Sequence, residues 1–263
     1  VETTIAGYTM ECDQAVKVLI LGGTTEARAL AAALDRVRGI ETVTSLAGRV
    51  ARPILPVGQT RIGGFGGPDA LAEWLRDNAV DVVVDATHPF ASTIGTHAEH
   101  ATAATGAALL VLTRPPWNEV EGDRWTYVPS LPDAAAAITP GSRVFLTTGR
   151  QGVHHFASVD HSWFLVRSID PPTGPVPSRM RLLLDRGPFD LDHESKVLAD
   201  NRIDLLITKN SGGDMMRAKL DAARAASIPV LMVARPAAPN SAPIVYEVET
   251  AVDWLTSRLR GAL

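Results

Sequence analysis

The chain has 263 residues, 46% of them hydrophobic, with a formal charge of −4 and a pI near 6.0. That is enough apolar matter for one large α/β core or two smaller ones, and the acidic balance argues against nucleic acid, whose binders usually carry a basic footprint. The one cysteine, Cys12, excludes a disulfide framework and a multi-cysteine metal site, and no apolar run approaches the roughly 20 residues a spanning helix needs; a cytoplasmic protein without a membrane partner is expected, in an oligomeric state the sequence does not specify.

Residues 1–13 read as a tail, without the basic-then-apolar order of a signal peptide and with Met10 as an alternative start. Strands are then expected at 16–21, 41–45, 80–85 and 108–113, with helices over 25–36, 68–78 and 91–104. Short β-branched runs alternating with alanine-rich stretches mark parallel βαβ units. Residues 114–132 carry two adjacent prolines, two tryptophans and no helical period, so a crossover is expected there. A second series follows, with strands at 143–147, 163–168, 204–208 and 229–233 and helices over 132–138, 190–202, 214–226 and 250–259. The proline-rich stretch 170–178 reads as a surface loop beside a cleft. The expected architecture is therefore α/β, with two Rossmann-like, doubly wound parallel-sheet domains over 14–125 and 126–263 and a cleft between them.

In an open parallel sheet, ligands collect at the carboxyl ends of the strands. Gly22, Gly23, Thr24 and Thr25 follow a buried strand and open a helix, where glycine lets a phosphate approach the backbone and the helix start offers free N–H groups. Thr24 stands where the GxGxxG fingerprint has its second glycine, so the loop reads either as a nucleotide-phosphate site or as an ordinary tight turn. After the second strand, Gly48 and Arg49 occupy the place where NAD sites offer a carboxylate and NADP sites an arginine. NADP is inferred, a solvated loop arginine being the alternative. Gly64, in the glycine-rich stretch 63–67, suits close packing against a dinucleotide or a plain connection.

Thr87 and His88 follow Asp85, and Pro89 holds the His88 backbone extended. Thr87 joins the cofactor set. His88 is expected to donate to substrate or supply a proton, or else to be a structural histidine bonded to a loop carbonyl. The later loops are basic through Arg150, Arg186, Lys209 and Arg217, a rim that suits a polyanion or simply surface charge balanced by neighbours. Lys209, Asn210, Ser211, Gly212 and Gly213 join a cation, an amide, a hydroxyl and two glycines ahead of a helix. His97 and His100 share a helical face with no carboxylate or cysteine assigned beside them, and no metal site is expected. His154 and His155 lack ligand spacing and, beside Arg150, suggest an anion pocket.

These loops in this order resemble the precorrin-6A reductase family, over nearly the whole chain from Val18 to about Leu259. The most telling pieces are Leu21-Gly22-Gly23-Thr24-Thr25-Glu26-Ala27, Asp85-Ala86-Thr87-His88-Pro89-Phe90-Ala91, Arg186-Gly187-Pro188-Phe189 and Thr208-Lys209-Asn210-Ser211-Gly212-Gly213. The resemblance implies two Rossmann-like domains with possible exchange of a strand between them. It also implies NADPH-dependent reduction of precorrin-6A to precorrin-6B in cobalamin biosynthesis. On that implication the first domain is the NADPH side. The second helps to bind a polycarboxylate tetrapyrrole through Arg150, Arg186, Lys209, Asn210, Ser211 and Gly212, with His88 and Lys209 as catalytic candidates. Asp214, Met215 and Met216 depart from the smaller residues expected of relatives, while Lys219 keeps its place.

A short-chain dehydrogenase needs a tyrosine with lysine four positions later, a spacing that Tyr8, Tyr127 and Tyr246 all fail. Two readings stand beside the reductase. One is a tetrapyrrole metal chelatase working through the histidines; the other is a non-catalytic NADP-binding module, because a fold does not entail an activity.

Overall fold

The computed structural model describes residues 15–48, 53–237 and 242–261, the last two by their backbone alone. The tail and Arg49 lie outside the described residues. The first half runs β1 (Val16–Leu21), α1 (Thr25–Leu34), β2 (Ile40–Leu46), β3 (Gln59–Ile62), α2 (Pro68–Asp77), β4 (Val82–Asp85), α3 (Ser92–Thr105) and β5 (Ala108–Leu112). The second runs β6 (Trp125–Val128), α4 (Leu131–Ala136), β7 (Arg143–Leu146), β8 (Trp163–Ser168), β9 (Met180–Leu184), α5 (Leu191–Asp200), β10 (Leu205–Lys209), α6 (Ala218–Ala225) and β11 (Val230–Val233). Short 3-10 turns occupy Arg150–Phe156 and Asp214–Met216, and β12 (Ile244–Val245) and α7 (Val248–Gly261) follow.

β1 shows why the strands read so clearly. Val18 and Ile20 enter one core with Leu30, Leu34 and Leu255, while Leu19 and Leu21 enter another with Leu71, Leu75 and Ala98. A strand covered on both faces has no polar alternation and becomes a continuous apolar run. Each such leucine or isoleucine contributes about 1.5–3 kcal/mol by leaving water. β7 repeats the pattern: Val144 and Leu146 face α4 and Phe156, and Phe145 faces the layer of α5 and α6.

Both sheets are six-stranded, ordered β3-β2-β1-β4-β5-β12 and β9-β8-β7-β10-β11-β6, and every pairing is parallel. That is the order of a dinucleotide-binding fold, read twice. The sixth strands are exchanged. β6 follows β5 in the chain but pairs with β11, and β12 follows β11 but pairs with β5. The exchange corrects the expected domain over 126–263, because its last strand and helix belong to the first core, where Ala251 and Leu255 are fully buried. Among the described residues no helix is long and apolar enough to cross a membrane.

Candidate active site

The chain leaves β1 for β2 and β3 on one side and returns to β4 and β5 on the other, so a crevice opens at the carboxyl ends of β1 and β4. β7 and β10 form the same crevice in the second sheet. The two face one another. Phe90, just past β4, packs against the second core, and Lys209 Nζ at the end of β10 lies 5.3 Å from its ring centroid.

Within the first crevice the two glycines have different tasks. A Cβ on Gly22 would stand 2.9 Å from Thr44 Cγ2, so packing against β2 requires glycine. Gly23, with φ of +118°, has open space on that side, a cradle beside the first turn of α1. Thr24 Oγ1 donates to Ala86 O at 2.7 Å and accepts from Ala27 N at 3.1 Å. Its proton is thus committed to joining the loops after β1 and β4 and is not available to a phosphate. Thr25 is exposed beside the cradle, its hydroxyl accepting from Arg28 at 3.1 Å. Thr87 donates through N–H and hydroxyl to Asp85 Oδ1, at 3.0 and 2.7 Å.

Gly48 turns with φ of +70° against Ile62, and Gly64 has open space where a side chain would stand. The loop carrying Gly64 is held by Arg61, which the sequence reading did not single out. Its guanidinium donates to Ser45 Oγ at 2.9 Å, Gly63 O at 2.8 Å and Gly64 O at 3.2 Å, and lies 3.8 Å from the Phe65 ring centroid.

In the second crevice, the Asn210 side chain serves the scaffold. Its Oδ1 accepts from Trp117 N at 2.8 Å and its Nδ2 donates to Trp117 O at 3.0 Å, all buried. Gly212 is likewise structural, because a Cβ there would collide with the Pro115 carbonyl and the Arg235 guanidinium. Arg235 donates to the carbonyls of Asn210 and Arg114 at 2.7 Å, Ser211 at 2.9 Å and Pro115 at 3.3 Å. It therefore staples the outgoing crossover to the loop after β10. Neither Arg235 nor Arg114, which pairs with Glu26 at 3.4 Å, stood out in the sequence; the available signal was an arginine just past a strand end.

Arg150 begins the turn after β7, 4.0 Å from Asp170, and Arg186 is exposed just past β9. Both stand on the carboxyl edge of the second sheet. Arg217 instead pairs with Asp221 at 3.4 Å. Beneath this edge Arg167 and Glu194 form a buried pair at 2.9 Å, and buried Lys219 donates to Met216 O at 2.7 Å. Burial, then the Arg167 charge, pushes Lys219 down to about 7, against the pull of Glu194.

His88 Nδ1 accepts from Phe90 N at 3.2 Å, which leaves the ring proton on Nε2. Burial by surrounding protein, then Arg114, Lys209, Arg235 and Lys219, pushes its pKa down to about 3. The ring is exposed along the cleft, where water screens those charges, so the direction carries the conclusion: the imidazole is neutral at pH 7. Burial also lowers Lys209. Next to His88 a cavity of about 290 Å³ opens between the ends of β4 and β5 and the start of α3, with Asp85, Thr87, Gly95, Glu99 and Arg235 in its lining. Among the described residues no three His, Cys, Asp or Glu side chains are grouped to hold a metal ion.

The sequence profile of the precorrin-6x reductase family, CbiJ/CobK, matches residues 17–256. This chain belongs to that family. It is 52% identical to the precorrin-6A reductase of Rhodococcus erythropolis over 245 residues, 93% of this chain and 99% of that protein. To the precorrin-6A reductase of Mycobacterium tuberculosis it is 49% identical, covering 91% and 97%, and to the cobalt-precorrin-6A reductase of Salmonella typhimurium 30% identical, covering 83% and 87%. The solved structure of CobK precorrin-6A reductase superposes with a TM-score of 0.85 at 41% identity, covering 92% of this chain and 96% of that one. For a precorrin-6x reductase, the facing crevices put an open glycine cradle on one wall and a set of cations on the other.

Proposed function

We propose that this chain reduces precorrin-6A to precorrin-6B in cobalamin biosynthesis, with NADPH as reductant. The observation that carries the reading is the cleft itself, where the loop after β4, tied by Thr24 to the loop that holds the Gly23 cradle, meets Lys209 of the second sheet through Phe90, in a chain belonging to a precorrin reductase family. The cradle and the open side of Gly64 fit the phosphates and sugars of a dinucleotide, with N–H groups at the start of α1 directed to the anion. Thr25, Gly48 and Thr87 border the same crevice, and Arg49 is the proposed reader of the 2′-phosphate.

When bound, the nicotinamide supplies the hydride equivalent. The chain's own groups do the rest. Lys209, Arg150 and Arg186 hold substrate carboxylates against the carboxyl edge of the second sheet and orient the ring. His88, neutral, offers Nε2–H as a hydrogen-bond donor. Lys209, made more acidic by burial, is the better source of the proton that completes the reduction. Ser211 lies on the same loop, its carbonyl taken by Arg235. The higher identity to proteins named for the metal-free substrate, 52% and 49% against 30%, favours a macrocycle without cobalt.

The test is to incubate the protein with precorrin-6A and either NADPH or NADH and weigh the macrocycle. A product heavier by two hydrogens, formed with NADPH in preference, is expected; an unchanged macrocycle would defeat the reading. Arg49→Ala should weaken NADPH binding by about tenfold or more and NADH binding little, as loss of a charge-assisted contact predicts. An equal effect on both removes Arg49 from the phosphate site.

A further inference from the structure

Of Arg186, Gly187, Pro188 and Phe189, which follow β9, only Arg186 has a place in the proposed reaction. Phe189 carries the loop's contacts to the layer below. The Arg167 guanidinium carbon stands 4.0 Å from its ring centroid, and the His193 ring stacks on it at 5.2 Å and 14°. The loop is pinned at both ends as well: Asp185 N donates to Ser168 O at 3.1 Å, and Asp190 Oδ1 accepts from His193 N at 2.8 Å. His193 Nε2 in turn lies 3.4 Å from Asp185 Oδ2. In the middle, a Cβ on Gly187 would stand 2.9 Å from Met216 Sδ and 3.2 Å from Phe189 Cε2, so the backbone just after Arg186 lies bare against both.

The buried partner of Phe189 gives this contact its meaning. Arg167 pairs with Glu194 at 2.9 Å, their side chains 5% and 2% exposed, while Arg167 Nη1 and Glu194 Oε2 find no hydrogen-bond partner among the described residues. A buried and incompletely bonded ion pair gains little over apolar side chains of the same volume. What an apolar pair could not do is present a cation to aromatic rings. The guanidinium meets Phe189 and, at 4.9 Å, Phe145, an attraction that strengthens away from water. We propose that Phe189, held by Arg167 and His193, is a positioning residue for the substrate: it fixes the loop after β9 so that Arg186 meets a macrocycle carboxylate from one set direction. The role rests on Arg186 being a substrate contact, as proposed above, and adds what gives that arginine its place. An arginine on an unrestrained loop forfeits the freedom of loop and side chain together when it binds an anion, whereas a pinned loop has given up its share beforehand. The effect therefore belongs to the hold on the substrate and not to hydride transfer.

Steady-state kinetics of the whole chain with precorrin-6A and NADPH separates positioning from a merely structural role. Phe189→Leu, which keeps apolar bulk but no ring, should raise KM for precorrin-6A about fivefold, the worth of one exposed ion pair, and change kcat and KM for NADPH less than about twofold. Phe189→Tyr, which keeps the ring, should restore KM to within about twofold of the wild type. Arg186→Ala raises that KM by itself, and adding Phe189→Leu to it should bring no further rise, because the ring acts through the lost guanidinium. An undisturbed KM in Phe189→Leu, or the same increment with and without Arg186, would overturn the proposal. His193→Ala, which removes the exposed stacking partner, is read in the same two backgrounds and decides if Phe189→Leu does not fold. Wild-type KM in Arg186→Ala would instead sink the substrate reading of Arg186, and the positioning role with it.

Discussion

His88 illustrates how little a residue's type settles about its role. In sequence it offered a proton source. In place, its Nδ1 is occupied by the Phe90 N–H and its charged form is opposed by burial and four cations, so the neutral ring with Nε2 as donor is the role proposed for it. His88→Gln, which can still donate, should therefore retain much more activity than His88→Ala, and kcat/KM should show no inflection near pH 6.5 that disappears in the Gln variant; such an inflection would restore the cationic role. The same shift has a consequence for stability. Below about 6.5 the unfolded chain takes up a proton that the folded chain, its imidazole pKa lowered, declines until a lower pH, so the wild type should lose stability relative to His88→Gln as pH falls from about 7 to about 5. Urea midpoints at the two values check it. Gly22 and Gly23 were readable because only the backbone needs them. Thr24 and Asn210 were not, because a hydroxyl or an amide reads alike whether it caps the chain or faces a ligand.

At the scale of elements, the strands that could be read are the inner ones of the two sheets, β1, β2, β4 and β5 in the first and β7, β8, β10 and β11 in the second, whose apolar runs carry the signal. β6, β9 and β12 are edge or near-edge strands with exposed positions, and β12 has two residues; none carries a period long enough to see. The stretch read as a crossover at 114–132 proves to be ordered from outside itself, by Asn210 and Arg235 gripping its backbone. Asn210→Ala strands a buried N–H and a buried carbonyl of Trp117, which should cost about 1–3 kcal/mol per group. Denaturant melts should show that loss while cofactor affinity stays near the wild-type value, since the first crevice is untouched. A large drop in affinity for the tetrapyrrole without loss of stability would place Asn210 back in its expected substrate-binding role.

For the whole molecule, exchange of the sixth strands makes each core depend on chain from the other half. Ala251 and Leu255 sit at full burial against α1 and β1, and removing two such side chains together with a sheet strand exceeds what a domain's margin of stability tolerates. A chain ending at residue 242 should therefore lose the first domain, seen as loss of NADPH binding and of amide protection in β1 and β4, whereas a truncation that left both intact would show that the exchange is dispensable. The consequence for function is a cleft whose two walls are held by two adjacent crossovers, tied by Arg235. The alternation of strands and helices reached two α/β domains, and the loops after the strands a basic rim; the exchange was visible only through the family resemblance, because it is a property of pairing and not of pattern. The most direct measurement is the nicotinamide absorbance of a mixture of protein and NADPH on addition of precorrin-6A. The account predicts that one equivalent of NADPH is oxidised per macrocycle reduced, more slowly in Lys209→Met; a folded preparation that leaves the absorbance unchanged would contradict it.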